Sequence, residues 1–497
     1  MTGQLLRPMP SIGPDVEPEP SARRVIAMPP IIGGKVLDGP CEDVVVTTPD
    51  ASIVTRFPTE RDLELIETGK RELGPRLRAL SLRDVSLFLH RVGSGWLDRL
   101  DEIGREYGAA IEETTGLNWS VVRSDYAGIG GYLTSRADHY QLLRSELGSV
   151  HAMDEWQRNE SVRQLAVPRG MAFHSLVGNI PVAGLYSVLR GMITRNANLI
   201  KLPSRDPLSV YLFARTAVEV AGDSPLAAGI SALYWPREHE VGNRLIGLAD
   251  TACLWGSGEA ISQVRSALRP NVPCVTFGPR RSCAVLDLTA DGVDLDDAAR
   301  RLAIEVSFYN QAACLSPLRA YVLGDAAAFE ERLAAAMHEV TAALPRRAAG
   351  TDVEGQIRLI SEEARVRGWS VHTGDGWSSI RVSAEEGAIT HPLGRTVFVH
   401  PCADLDEIAQ WLDDDSQTIS VYPYEAATTV AERLLPVGGS RVVELGLSRH
   451  PRRGFPHDGQ RVLNSLVRWI AIEDDMANAS IYGVLSAEEL HRHFMGL

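Results

Sequence analysis

In Met171-Ala172-Phe173-His174-Ser175-Leu176-Val177-Gly178-Asn179-Ile180-Pro181 an apolar run of strand length stops abruptly at Gly, Asn and Pro. Residues 182–192 then continue as an apolar, helix-like stretch. Ala197-Asn198-Leu199-Ile200-Lys201-Leu202-Pro203-Ser204 repeats the pattern as a second short strand ending at proline, and residues 208–221 are helical again. Downstream, Leu233-Tyr234-Trp235, Ala252-Cys253-Leu254-Trp255 and residues 272–277 read as further strands, with a helical segment at 259–268. Short apolar strands alternating with helices call for βαβ units and a parallel sheet covered on both faces. The fold class is therefore α/β.

Gly278-Pro279-Arg280-Arg281 reads as a crossing into a second α/β unit. That unit has strands at 282–286, 318–323, 396–400 and 418–422, and helices at 295–308, 326–343 and 405–412. From Arg441 the chain offers one strand, the basic loop 449–454 and a helix at 462–472. Upstream, residues 25–57 carry short β-branched runs between Gly and Pro. A helical front end follows from Glu60, with Ser81 as a cap and Gly128, Gly130 and Gly131 as breaks. The expected division is a flexible Pro-rich tail (1–24), a first unit with the front end and the first sheet (25–278), a second unit (279–440), and a C-terminal segment (441–497).

At 497 residues the chain exceeds one ordinary core. The net charge of −14, from 50 basic and 64 acidic side chains, speaks against nucleic acid or an anionic membrane as a general partner. No apolar run is long enough for a membrane span, and no secretion signal is evident at residues 1–30. The six cysteines are scattered without a Cys-x-x-Cys pair, which fits a reducing cytoplasm with free thiols and no metal centre. Lysine is rare: Lys35, Lys70 and Lys201 are the only ones.

Four places could carry chemistry. Cys314 sits in Asn310-Gln311-Ala312-Ala313-Cys314-Leu315-Ser316-Pro317, just past a helix, and is either a packed thiol or a nucleophile. Asn179 stands at a strand's carboxyl end, where open α/β sheets bind ligands. It is either a turn residue or an amide donor to an oxyanion. Lys201, in a chain that otherwise uses arginine, suits a compact ammonium against ribose or phosphate, or else a lysine whose head reaches solvent. Gly256-Ser257-Gly258, between strand and helix, suits a phosphate but lacks the Gly-x-Gly-x-x-Gly fingerprint. Asp413-Asp414-Asp415 reads as a solvated loop, His174 as structural, and 449–453 as an exposed loop, a subunit contact or a phosphate contact.

Taken in order, Asn-x-Pro, Lys-x-Pro-Ser, Gly-Ser and Gln-x-x-Cys resemble the aldehyde dehydrogenase superfamily. The longer wording of 173–181, Arg190-Gly191 and 196–207, with 277–282 and 468–474, resembles one branch. That branch is the acyl-CoA reductase family (LuxC-type), which supplies fatty aldehyde in bacterial bioluminescence. The resemblance implies an aldehyde dehydrogenase-like architecture: a nicotinamide-binding Rossmann-like domain, a catalytic α/β domain and an oligomerisation arm, in a homo-oligomer. It makes Cys314 the nucleophile and Asn179, with the Cys314 N–H, the oxyanion hole. It puts Lys201 and Ser204 on the adenosine ribose or its phosphate, and Gly256 and Ser257 on the pyrophosphate.

Oxidising members carry a glutamate that activates water where this chain has Thr276. Its loss fits a reductase that takes an acyl group from acyl-CoA or an acyl-carrier protein and releases aldehyde. Arg205, Arg280 or Arg281 beside a 2′-phosphate tilts the cofactor toward NADPH, with NADH open. The alternatives are an oxidising or CoA-acylating aldehyde dehydrogenase and a non-catalytic subunit of an acyl-transfer complex.

Overall fold

The computed structural model describes residues 23–159, 162–346, 351–382, 390–473 and 487–495, so most of the Pro-rich tail lies outside the described residues. Two seven-stranded sheets organise the chain. In the first, Cys274–Phe277, Thr251–Trp255, Met171–Ser175, Ala197–Lys201 and Ile230–Leu233 run parallel in that spatial order. The sheet is extended antiparallel at one edge by Ile31–Ile32 and Lys35–Val36. The second sheet runs Ser370–Gly374, Trp377–Arg381, Thr396–Cys402, Pro317–Leu323, Arg281–Asp287, Ser416–Tyr422, Arg441–Glu444, parallel except for the first pair. Near-continuous burial of Met171–Ser175, Ala197–Lys201 and Thr251–Trp255 is what a sheet covered on both faces requires.

The helical front end packs on the first sheet, and the two share one apolar core. Thr59 and Ser81 each close a capping box at the start of Glu60–Arg78 and Leu82–Asp98. The glycines at 128, 130 and 131 are not breaks: the helix Trp119–Thr134 runs straight through them. Gly130 is instead a contact point, because a Cβ there would come within 2.5 Å of Leu97. Gly93 does the same on the partner helix, where a Cβ would meet Leu133 at 2.6 Å. Small residues let Leu82–Asp98 and Trp119–Thr134 approach closely. The break falls at Ser135, which caps the next helix.

Two other expectations change. Residues 462–472 are not one helix: Val462–Leu466 is helical, and Val467–Glu473 is a strand paired antiparallel with Val162–Pro168. Trp469 and Ile472 stay partly exposed on that strand, while Val462, Leu463 and Leu466 fill the core of the first unit. The strand Arg441–Glu444 lies on the second sheet, so that unit extends past residue 440. Elements not expected from the sequence include the helices Glu240–Ile246, Thr351–Val366 and Ala427–Leu434 and the strands Ser370–Gly374 and Trp377–Arg381.

Candidate active site

Cys314 stands in the turn between the helix Leu295–Phe308 and the strand Pro317–Leu323. The two residues that turn the chain, Asn310 and Gln311, both have positive φ, 50° and 59°. Such backbone is costly for non-glycine residues and holds only when the surroundings fix it. Here the side chains do so. Asn310 donates Nδ2 to the Gly116 carbonyl at 3.0 Å and accepts from Arg395 Nε at 2.7 Å. Gln311 donates Nε2 to the carbonyls of Pro317 at 2.9 Å and Thr396 at 2.6 Å. Ser282 Oγ donates to the Cys314 carbonyl at 2.6 Å and ties the turn to the next strand of the second sheet.

Asn179 reaches this turn from the first sheet, donating Nδ2 to the Ala312 carbonyl at 2.7 Å, while its Oδ1 is buried without a partner. The Cys314 thiol is pushed up to about 11, first by burial and then by the Asp458 carboxylate, against a hydrogen bond from Gln417. Gln417 Nε2 lies 3.3 Å from Cys314 Sγ and also donates to Asp458 Oδ1. Asp458 Oδ2 faces Arg280 Nε at 3.7 Å.

Two cavities meet at Cys314. The first, of about 680 Å³, is lined by Asn179, Lys201, Ser204, Arg205, Gly256 and Ser257 on the way to the thiol. Lys201 Nζ lies 5.2 Å from the centre of the Trp235 ring. Burial, and then Arg237, lower the Lys201 pKa. Ser204 and Arg205 are exposed at the rim, where Arg205 Nη2 donates to the Thr115 carbonyl at 3.3 Å. Gly256 has φ of 147°, and Ser257 caps the helix Gly258–Ala267, whose N–H groups open onto the cleft. A cleft lined by a lysine ammonium, a helix N-terminus and the thiol fits a nicotinamide dinucleotide. Its volume lies in the range of small-molecule sites. Arg280 and Arg281 are committed elsewhere: Arg281 pairs with Asp413, and Arg280 with Asp415 and Asp458. The aspartate run 413–415 is exposed, as a solvated loop should be, and Asp413 and Asp415 meet these two arginines.

The second cavity, of about 520 Å³, lies on the other side of Cys314. Ile129, Tyr132, Tyr186 and Leu189 line its helical wall, and the loop 449–455 brings Arg449 and Arg453 to it. Arg453 stacks on Tyr132 at 4.3 Å, and Arg449 on Phe308 at 3.9 Å. Tyr309 donates its hydroxyl to Asp125 Oδ1 at 2.8 Å. Trp255 borders both cavities and stacks on Phe277 with ring centres 4.0 Å apart. It donates Nε1 to Ser187 Oγ at 3.2 Å, which is itself 2.9 Å from His174 Nδ1. His174 Nε2 lies 3.0 Å from Asn198 Oδ1, so this histidine is structural and fixes the wall around Trp255. A Cβ at Gly191 would fall 1.9 Å from Asn198 Oδ1, which explains the glycine after Arg190.

Thr276 lies on the strand Cys274–Phe277, with its carbonyl accepting from Gln460 Nε2 at 3.2 Å. Among the described residues, the carboxylate that lines the cleft is Asp458, from a different segment. Sequence reading missed Gln417, His457 and Asp458. The run Pro456-His457-Asp458-Gly459 after the basic loop was the available signal, and it gains meaning only once folding brings it to Cys314. Among the described residues no group of three or more His, Cys, Asp or Glu could hold a metal ion, and no helix is long and apolar enough to cross a membrane.

This is the architecture of aldehyde dehydrogenases. An oxidoreductase from Marinobacter aquaeolei superposes with a TM-score of 0.70 at 15% identity, over 90% of this chain and 98% of that one. Aldehyde dehydrogenase 21 from Physcomitrella patens superposes with 0.69 at 14% identity, over 91% and 98%. Within that fold, the family model described as acyl-CoA reductase (LuxC) matches residues 77–469, and the chain belongs to that family. The long-chain acyl-protein thioester reductase of Aliivibrio fischeri is 30% identical over 400 residues, covering 79% of this chain and 83% of that protein. That of Photorhabdus luminescens is 30% identical over 401 residues, covering 79% and 82%.

Proposed function

We propose that this chain reduces an acyl thioester to an aldehyde through an acyl-enzyme on Cys314. The observation that carries the reading is the position of Cys314 where two cavities meet, one suited to a dinucleotide and the other to an acyl group. Cys314 attacks the thioester carbonyl, its sulfur–carbon bond forms, and the donor thiol leaves with the proton. Asn179 and the Cys314 N–H receive the oxyanion as it develops. When bound, the reduced nicotinamide supplies hydride to the reacting carbonyl. Lys201 and Ser204 hold the ribose or its phosphate, and Gly256 and Ser257 lie against the pyrophosphate. Thr276 offers no carboxylate for water, and Asp458 is already engaged by Gln417 and Arg280, so the acyl-enzyme waits for hydride.

Arg205 stands at the rim with Nη2 on the Thr115 carbonyl, and with Lys201 and Arg237 it supports NADPH over NADH. The names of the relatives support a long-chain acyl group carried on a protein thiol or on coenzyme A. The exposed strand Val467–Glu473 supports an oligomerisation arm in a homo-oligomer, and the free cysteines support a reducing cytoplasm. The test is incubation with NADPH and a long-chain acyl-CoA or acyl-carrier protein, following nucleotide oxidation and trapping aldehyde. Aldehyde should form with wild type and not with Cys314→Ala. Absence of nucleotide oxidation with every acyl donor would overturn the reading.

A further inference from the structure

Cys314 must play two opposite parts if it carries the acyl group. It attacks as a thiolate when its bond to the acyl carbon forms. It leaves as a thiolate when that bond breaks and the aldehyde carbonyl closes. The thiolate is the reactant of the first step and the product of the second, so its charge rests on sulfur at both ends, whereas Asn179 and the backbone N–H serve only the oxygen. A donor on the sulfur side is therefore chemically useful, and the structure contains one.

Gln417 is buried at 5% exposure on the strand Ser416–Tyr422, with Nε2 3.3 Å from Cys314 Sγ. An amide beside a sulfur can present either its NH₂ or its oxygen. Here the choice is forced, because the same nitrogen meets the Oδ1 of Asp458, a carboxylate that accepts and does not donate. Asp458 is itself held in place. Its side chain is 3% exposed, Arg280 faces its other oxygen at 3.7 Å, and its backbone takes a φ of 50° in the turn Pro456 to Gln460.

We propose that Gln417, its amide locked by Asp458, is the hydrogen-bond donor to the Cys314 sulfur and controls both its attack and its departure. Gln417 touches the reacting atom; Asp458 is a positioning residue that acts through it. The proposal rests on the acyl-enzyme reading above. In acylation the sulfur–carbon bond forms, the donor's carbon–sulfur bond breaks, and the Cys314 proton leaves on the donor thiol. In collapse the electron pair of the carbon–sulfur bond returns to Cys314, the aldehyde is freed, and the thiolate takes a proton from solvent. Gln417 steadies the thiolate at each end of the cycle, while burial and then the Asp458 charge favour the protonated resting thiol.

The test needs neither nucleotide nor acyl donor, so its outcome is separate from whether the chain reduces thioesters. Iodoacetamide alkylation of Cys314 is followed by peptide mass mapping across pH, with Cys314→Ala as the blank. The charged and titratable groups around the sulfur are Asp458 and His457 from the turn, Arg441 from the strand Arg441–Glu444, Arg280 from the crossing, and Arg190 from the helix Pro181–Ile193. Gln417→Met should slow alkylation at pH 8 about tenfold and move the profile to higher pH. Gln417→Leu repeats the measurement with a different shape.

Asp458→Asn in the Gln417→Met background reports the lost charge alone and should speed alkylation. In the wild-type background the gain should be smaller, because Gln417 also loses its orientation. Wild-type alkylation in both Gln417 variants would overturn the sulfur-side donor. Additive effects of the two substitutions would overturn the role of Asp458.

Discussion

Asn179 donates its Nδ2 to the carbonyl oxygen of Ala312 at 2.7 Å, linking the end of a strand in the first sheet to the turn that carries Cys314. The two residues are 133 positions apart in sequence. The bond fixes how the two α/β units meet at the thiol. It also keeps an amide beside the turn that carries Cys314. The amide carries a second N–H beyond the one given to Ala312, so it can hold the turn and still serve an oxyanion.

Asn179→Ala should therefore lower turnover about 10²–10³-fold with nucleotide binding little changed. Single-turnover rates set beside nucleotide titrations check this. A near-normal rate would remove Asn179 from the oxyanion hole.

Lys201→Ala should weaken NADPH binding about 10–100-fold, the loss of a hydrogen bond to a charged group. Trp235, with the Lys201 ammonium 5.2 Å from its ring, offers a fluorescence reporter for the titration. Lys201→Arg should also weaken binding, because the planar guanidinium does not fit where a compact ammonium stands. Unchanged affinity in both variants would place the nucleotide elsewhere.

Gly130→Ala and Gly131→Ala, neighbours on one helix, should move stability in opposite directions. At Gly130 a Cβ meets Leu97 at 2.5 Å, and the overpacking should cost about 1–3 kcal/mol. At Gly131 a Cβ meets nothing within 4 Å, and replacing glycine in a helix interior should gain about 0.5–1 kcal/mol. Urea unfolding of the two variants reads the difference.

Asp125 gives a pH dependence with a defined sign. Burial pushes its carboxyl up to about 7, against the pull of the Tyr309 hydrogen bond and Arg449. The folded chain therefore holds a proton that the unfolded chain releases at the ordinary carboxylate pKa of about 4. Stability from this group is fullest below pH ~4 and falls as pH rises toward about 7, by at most about 4 kcal/mol. Asp125→Asn keeps an acceptor for Tyr309 and removes the titration. Its melting temperature should exceed that of wild type at pH 8, with the gap closing toward pH 5. A gap that does not change with pH would contradict this assignment.

Much of the site is local in sequence. The strand ending at Asn179 and the one ending at Lys201 are each legible from an apolar run and its terminating turn, and the helix before Cys314 starts and ends where its pattern does. The glycines of Trp119–Thr134 are not legible this way, because glycine marks both a break and a close contact, and only the partner helix tells which. The strand Val467–Glu473 was hidden because it alternates against Val162–Pro168, about 300 residues away, rather than against a neighbour.

The sequence by itself determined the α/β class, the family and the order of Asn179, Lys201, Ser257 and Cys314, since strand ends and turns are short-range events. Tertiary structure alone decided what surrounds the thiol. Gln417, Asp458 and Arg280 converge on Cys314 from three separate segments. A hydrogen bond made between residues so far apart in the chain leaves no spacing in the sequence, and it exists only once the backbone has brought its ends together.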